Sequence, residues 1–173
     1  IGSTVGVIFG LLTGRIKSFA TALSPIIQIL RPLPPVAIIP LVIVWFGIDD
    51  GAKIFSIAFA VFFPVWINAH IGARQIPQAF LWGAKLFTNS PVKILREIVF
   101  PAALPFIVAG IRTGIAIGFV MVFVSELSGA SSGLGYRISI TSLAYRIDQM
   151  IAALIVLGAL GAIADQLFVF GTR

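Results

Sequence analysis

Residues 74–105 read RQIPQAFLWGAKLFTNSPVKILREIVFPAALP, a polar, basic island between two long apolar stretches. Arg74, Lys85, Lys93 and Arg96 within it are four of the twelve basic residues of the chain. Pro77 and Pro91 bracket a segment, 80–89, that can form a short helix of about two to three turns at 3.6 residues each. Working outward from this island, every neighbouring stretch reads as membrane.

Composition sets the class. The chain has 173 residues, of which 59% are apolar and 10% charged, and its mean hydropathy is +1.10. A soluble domain carries about a quarter charged residues, so a water-facing surface cannot be covered. Five segments are apolar: 1–14, 19–48 with the single charge Arg31, 54–73 with Asn68 and His70, 101–125 with Arg112, and 150–171 with Asp165. Roughly 20 apolar residues cross a bilayer, and four segments reach that length. The first is shorter, but the chain opens on Ile rather than Met, so a cut helix is expected there. With no cysteine and one histidine, neither a disulfide framework nor a metal-ligand cluster is expected.

The net charge of +6 suggests topology rather than nucleic acid, because the bases are scattered between spans. Arg15, Lys17, Arg74, Lys85, Lys93, Arg96 and Arg173 fall on one side, and Lys53, Arg137 and Arg146 on the other. Cytoplasmic loops carry the excess of Lys and Arg, so the loop at about 74–101 is expected inside the cell. Five spans starting outside and ending inside satisfy every loop. A soluble motor would find a surface to push on at this loop.

The segment 19–48 contains Pro25, Pro32, Pro34, Pro35 and Pro40. Each proline removes an amide donor and crowds the preceding turn, so Pro32-Leu33-Pro34-Pro35 predicts a break. Irregular backbone at membrane depth survives only inside protein or beside a wet cavity. Beside the break stands Arg31, roughly 20 Å along a helical path from the cytoplasmic edge near Ser18 at 1.5 Å per residue. Arg112 lies on the order of 16 Å beyond Pro101 by the same rise. An arginine at such depth costs at least about 2.5 kcal/mol, so each needs water, a carbonyl or an acid. One reading makes them residues of an anion pathway. The other makes Arg31 a clamp on carbonyls freed by the prolines, and Arg112 such a clamp or a partner of Asp165.

Gly6, Gly10 and Gly14, and again Gly110, Gly114 and Gly118, recur every four residues and predict flat helix faces for close packing. Trp45, Trp66 and Trp82 are expected near span ends, where indole prefers the headgroup layer; only Trp82, inside the cytoplasmic loop, asks for another explanation. His70 reads as a hydrogen-bonded interfacial residue rather than a proton relay.

Leu30-Arg31-Pro32-Leu33-Pro34-Pro35-Val36-Ala37-Ile38-Ile39-Pro40-Leu41, followed by Trp45-Phe46-Gly47-Ile48, resembles the third span of permease subunits of bacterial ABC importers, most closely the nitrate/sulfonate/taurine/bicarbonate group. Pro101-Ala102-Ala103-Leu104-Pro105 with Ala109-Gly110-Ile111-Arg112 resembles the fifth span of that group. Glu126 with Ser131-Ser132-Gly133-Leu134-Gly135-Tyr136 resembles its next external loop. The resemblance implies an all-α membrane protein of the type I importer permease fold, a single transmembrane domain over 1–173, with about five of six spans present. The coupling motif of the family, anchored on Pro101, falls on Trp82, Gly83, Ala84, Thr88, Ile98 and Phe100-Pro101. Only Ala84, Ile98 and Pro101 agree with it.

The resemblance further implies a translocation subunit for a small solute, an anion by the lean of Arg31 and Arg112, with Glu126 a third pathway candidate. Phe80, Leu81, Trp82, Gly83, Ala84, Lys85, Leu86, Phe87, Thr88 and Asn89 would contact the motor. Expected partners are two ABC ATP-binding subunits holding ATP and Mg, a second permease copy (identical or related), an extracytoplasmic substrate-binding protein and the lipid of a bacterial inner membrane. No nucleotide site or bond chemistry is expected on this chain, since no G-x-x-x-x-G-K-[ST] occurs. An ion-coupled secondary transporter is the alternative; it would ordinarily need more intramembrane carboxylates than Asp165.

Overall fold

In a computed structural model of the chain, residues 1–128 and 130–172 are described. Arg173, counted among the cytoplasmic bases, lies outside them. The helices among these residues are α1 (Gly2–Arg15), α2 (Lys17–Leu30), a 3-10 turn (Pro35–Ile38), α3 (Ile39–Phe46), α4 (Asp50–Arg74), α5 (Gln78–Phe87), α6 (Pro91–Ile94), α7 (Phe100–Leu127), α8 (Leu134–Leu143) and α9 (Ile147–Gly171). Three helical stretches are long and apolar enough to span a membrane: Asp50–Arg74, Pro91–Leu127 and Ile147–Gly171. Counting Lys17–Leu30 and Pro35–Phe46 as one broken span makes a fourth. α1 has 14 residues, fewer than a full crossing needs.

The proline break falls where the sequence places it. α2 stops at Leu30, and Pro35 restarts the chain as a 3-10 turn. Pro40 stands in the first turn of α3, where its missing amide costs nothing. The span expected to begin at 101 begins ten residues earlier in the sequence. Ser90 caps α6 by accepting from the Lys93 amide, with Pro91 in the first turn. A π-helical turn, Leu95–Val99, joins α6 to α7. In it the Phe100 amide reaches back to the Leu95 carbonyl. The wider turn carries the helix past Pro101 in place of the bond that proline cannot donate.

The residues form two units: Ile1–Pro32 with Val61–Gly114, and Leu33–Ala60 with Ile115–Arg173. In the first, α4 is central. Gly6, Gly10 and Gly14 of α1 face Val65, Ala69 and Ala73 of α4 in a constant register, so the two helices run parallel. A Cβ at Gly10 would lie 2.5 Å from Ala69 Cβ and 2.7 Å from the Trp66 carbonyl oxygen. The flat face allows that approach. Gly110 meets Pro64 and Asn68, and Gly114 meets Val61 and Val65, so α7 runs antiparallel to α4. Arg15, Arg74 and the start of the α7 stretch are therefore at one end, as the charge count requires. The core joins Leu11, Ala69, Ala73, Ile76, Leu81, Val99, Ala103 and Ile107.

The second unit packs Ile39, Ala60 and Met121 with Ile43, Ile57, Ile117 and Val124. The turn between α8 and α9 closes on Tyr145 at φ +54 and a bond from the Arg146 amide to the Thr141 carbonyl, 2.8 Å. In α9 only Ala153 is buried.

Candidate functional site

α5 is a ten-residue helix, Gln78–Phe87, bounded by Pro77 and by extended Thr88. It covers the expected contact segment from Phe80 to Phe87, while Thr88 and Asn89 lie beyond its end. Leu81 and Ala84, one turn apart, are buried, and Leu81 seats the helix on the core. Phe80, Trp82, Leu86 and Phe87 turn outward, with Trp82 67% and Phe87 91% exposed. Lys85 and Trp82 line a cavity of about 420 Å³ with Arg15, Gln78 and Val92.

A second cavity of the same unit, about 350 Å³, is lined by Thr21, Ser24 and Gln28 of α2 with Arg31 at its C-cap, by Trp66, His70 and Arg74 of α4, and by Thr13 of α1. Thr21, Ser24, Gln28 and Arg31 follow the three-and-four spacing of one helix face, and Trp66, His70 and Arg74 lie four apart on another. Thr13, buried, ties this wall together. Its hydroxyl donates to the Phe9 carbonyl at 2.7 Å, and it accepts from Trp66 Nε1 at 3.0 Å. His70 Nδ1 stands 3.0 Å from the same oxygen. Gln28 Nε2 donates to Ser24 Oγ at 2.7 Å.

The structure answers three expectations here. Arg31 stands about 20 Å from Ser18 along a helical path, by the helical rise, as the C-cap of α2. It shares a cavity with Arg74, the last residue of α4, and the α4 wall from Trp66 to Arg74 is about 12 Å long by the helical rise. Trp66 is not a headgroup residue at a span end: it lies eight residues inside α4 with its N–H on Thr13. His70 is the hydrogen-bonded histidine expected, although its partner, Thr13, carried no signal in isolation. The polar stripes on α2 and α4 follow the helical spacing of the sequence.

Arg112 lies in α7 between the close-packed Gly110 and Gly114 and does not line the Arg31 cavity. Glu126 has a local role. Its Oε2 accepts from the Gly135 amide at 2.7 Å, placing a carboxylate at the N-terminus of α8, where the helix dipole favours it. Gly133 has φ +122, and a Cβ there would collide with the Glu126 carboxylate.

Residues 2–170 match the family model described as binding-protein-dependent transport system inner membrane component. The chain is 34% identical over 166 residues to a protein of Bacillus subtilis described as an aliphatic sulfonates transport permease, SsuC, covering 96% of this chain and 60% of that protein. It is 31% identical over 160 residues to the taurine transport system permease protein TauC of Escherichia coli, covering 92% of this chain and 58% of TauC. The chain thus spans about three-fifths of the length of these relatives. Among solved structures, a chain of the MetNI methionine ABC transporter in inward-facing conformations superposes with a TM-score of 0.73 at 21% identity, covering 100% of this chain and 86% of that one. The all-α importer-permease fold expected from the sequence is the fold observed.

Proposed function

Because the chain belongs to the family of binding-protein-dependent transport system inner membrane components, we propose that it is the membrane-spanning subunit of an ATP-driven importer and forms part of the path of a small anion. The observation that best supports this is α5. A short helix in the basic loop holds Leu81 and Ala84 inward and offers Trp82, Leu86 and Phe87 outward. Exposed apolar residues in a polar segment mark a protein contact. The contact would be the cleft of an ATP-binding subunit.

Two such subunits would hold ATP and Mg, and this chain would carry out no bond chemistry. A second permease copy, identical or related, would complete the pathway. An extracytoplasmic binding protein would deliver the solute in the bacterial inner membrane. Closure of the ATP-binding subunits would move α5 as a rigid body and switch the cavity between its two openings. The anionic solute is supported by Arg31 and Arg112 within apolar segments and by the sulfonate and taurine named for the relatives.

The test is uptake into vesicles holding the full-length permease with its ATP-binding subunits and binding protein. Radiolabelled sulfonate should enter only with ATP, and native mass spectrometry should show two permease and two ATP-binding subunits. Uptake that follows an ion gradient without ATP would overturn the reading.

A further inference from the structure

We propose that the cavity between α2 and α4 is an oxyanion-binding site, held by Arg31 and Arg74 with Gln28 and Ser24 as neutral donors. No acid lines the cavity among the described residues, while two guanidiniums, an imidazole, an amide and three hydroxyls do. A polar stripe on a helix otherwise rich in Ile, Leu and Phe is costly beside hydrocarbon, so it marks a place that water or a polar ligand occupies.

The charge sum selects the ligand. Arg31 is the C-cap of α2 and Arg74 the last residue of α4. Each helix C-terminus carries roughly half a negative charge, which steadies the guanidinium beside it. Arg15 also donates to the Ala73 carbonyl at this end of α4, at 3.1 Å, so the cavity keeps a net positive charge, which favours an anion. The planar fork of arginine matches two oxygens of a sulfonate or phosphate group at once. Gln28 donates one of its two Nε2 hydrogens to Ser24 Oγ, which leaves its second hydrogen and the Ser24 hydroxyl hydrogen for a ligand. Thr13 fixes the back wall by holding Trp66 and His70 in place. The head group can come from a soluble sulfonate or from the phosphate of an anionic lipid, because both present the same oxygens.

The site is tested without transport, using the permease complex with its full-length chain in phosphatidylcholine nanodiscs and trifluoromethanesulfonate as a ¹⁹F NMR probe. Saturable line broadening is expected. Arg31→Ala and Arg74→Ala should each weaken it about tenfold or more, the range of one charge-assisted hydrogen bond. Arg31→Lys, which keeps the charge and guards against misfolding, should weaken it less, and Lys93→Ala should leave it unchanged. Displacement of the probe by added phosphatidylglycerol identifies the lipid as a source, and indifference to it identifies the soluble anion. Absence of saturable binding by both probe and phosphatidylglycerol, or binding that survives loss of both arginines, overturns the site. Since no ATP is used, binding without ATP-driven uptake would sink the transport reading alone, and uptake without binding would sink this site alone.

Discussion

The hydroxyl oxygen of Thr13 stands 3.0 Å from Nδ1 of His70, tying α1 to α4 beside the basic cavity. Thr13 is 4% exposed and gives its single hydrogen to the Phe9 carbonyl at 2.7 Å. It can therefore only accept from its neighbours, so Trp66 Nε1 and His70 Nδ1 both donate to it. Thr13→Val keeps the shape but strands two donors, with an expected cost of about 1–3 kcal/mol. Thr13→Ser restores the bonds and most of the loss. Thermal unfolding in detergent, with Trp66 emission as a local reading, checks the pair of variants.

Gly10 is expected to tolerate no side chain. In Gly10→Ala the new methyl meets Ala69 Cβ and, at 2.7 Å, the Trp66 carbonyl oxygen. Overpacking of this kind costs about 1–3 kcal/mol. A compensating Ala69→Gly removes only the first clash, since the carbonyl belongs to the backbone of α4. The double variant should remain well below the parent in unfolding temperature, and full rescue would show that the helices can slide apart.

Gly133 is tied to its glycine by two independent features, φ +122 and the Glu126 carboxylate where a Cβ would go. Gly133→Ala should cost at least about 1–3 kcal/mol from the backbone alone. Glu126→Gln keeps an oxygen for the Gly135 amide and should fold nearly as well. Glu126→Ala should loosen the start of α8, read as faster amide exchange at Leu134–Leu143. If uptake fails in Glu126→Gln while exchange stays slow, Glu126 serves the solute as well as the loop.

The sequence made the helical membrane class legible because composition alone leaves no other way to satisfy the chain. Pro32 to Pro35 marked the break, and the four-residue glycine spacing marked the α1–α4 and α7–α4 contacts, since both act through the local backbone. The path of α2 was not legible. Its direction is set by the extended residue Ile16 and by packing, neither of which has a sequence period. The early start of the α7 stretch was hidden by Lys93, Arg96 and Glu97, whose charges read as loop although they sit on helix. Thr13 gave no signal because its role depends on two residues more than fifty positions away.

The two faces of α5 should separate folding from coupling. Leu81 is 5% exposed and part of the core, so Leu81→Ala should cost about 2–5 kcal/mol, as buried leucines do, and lower the yield of folded protein. Trp82 and Phe87 lose little on truncation, because both are open to solvent in this chain. Trp82→Ala with Phe87→Ala should therefore keep unfolding within about 0.5 kcal/mol of the parent, the usual range of surface changes. The same double variant should fail to retain the ATP-binding subunits during purification and should lose solute-stimulated ATP hydrolysis. A cysteine at Phe87 should cross-link to an ATP-binding subunit in the intact complex. Retention of those subunits by the double variant, together with full stimulation, would place the contact on another part of the loop.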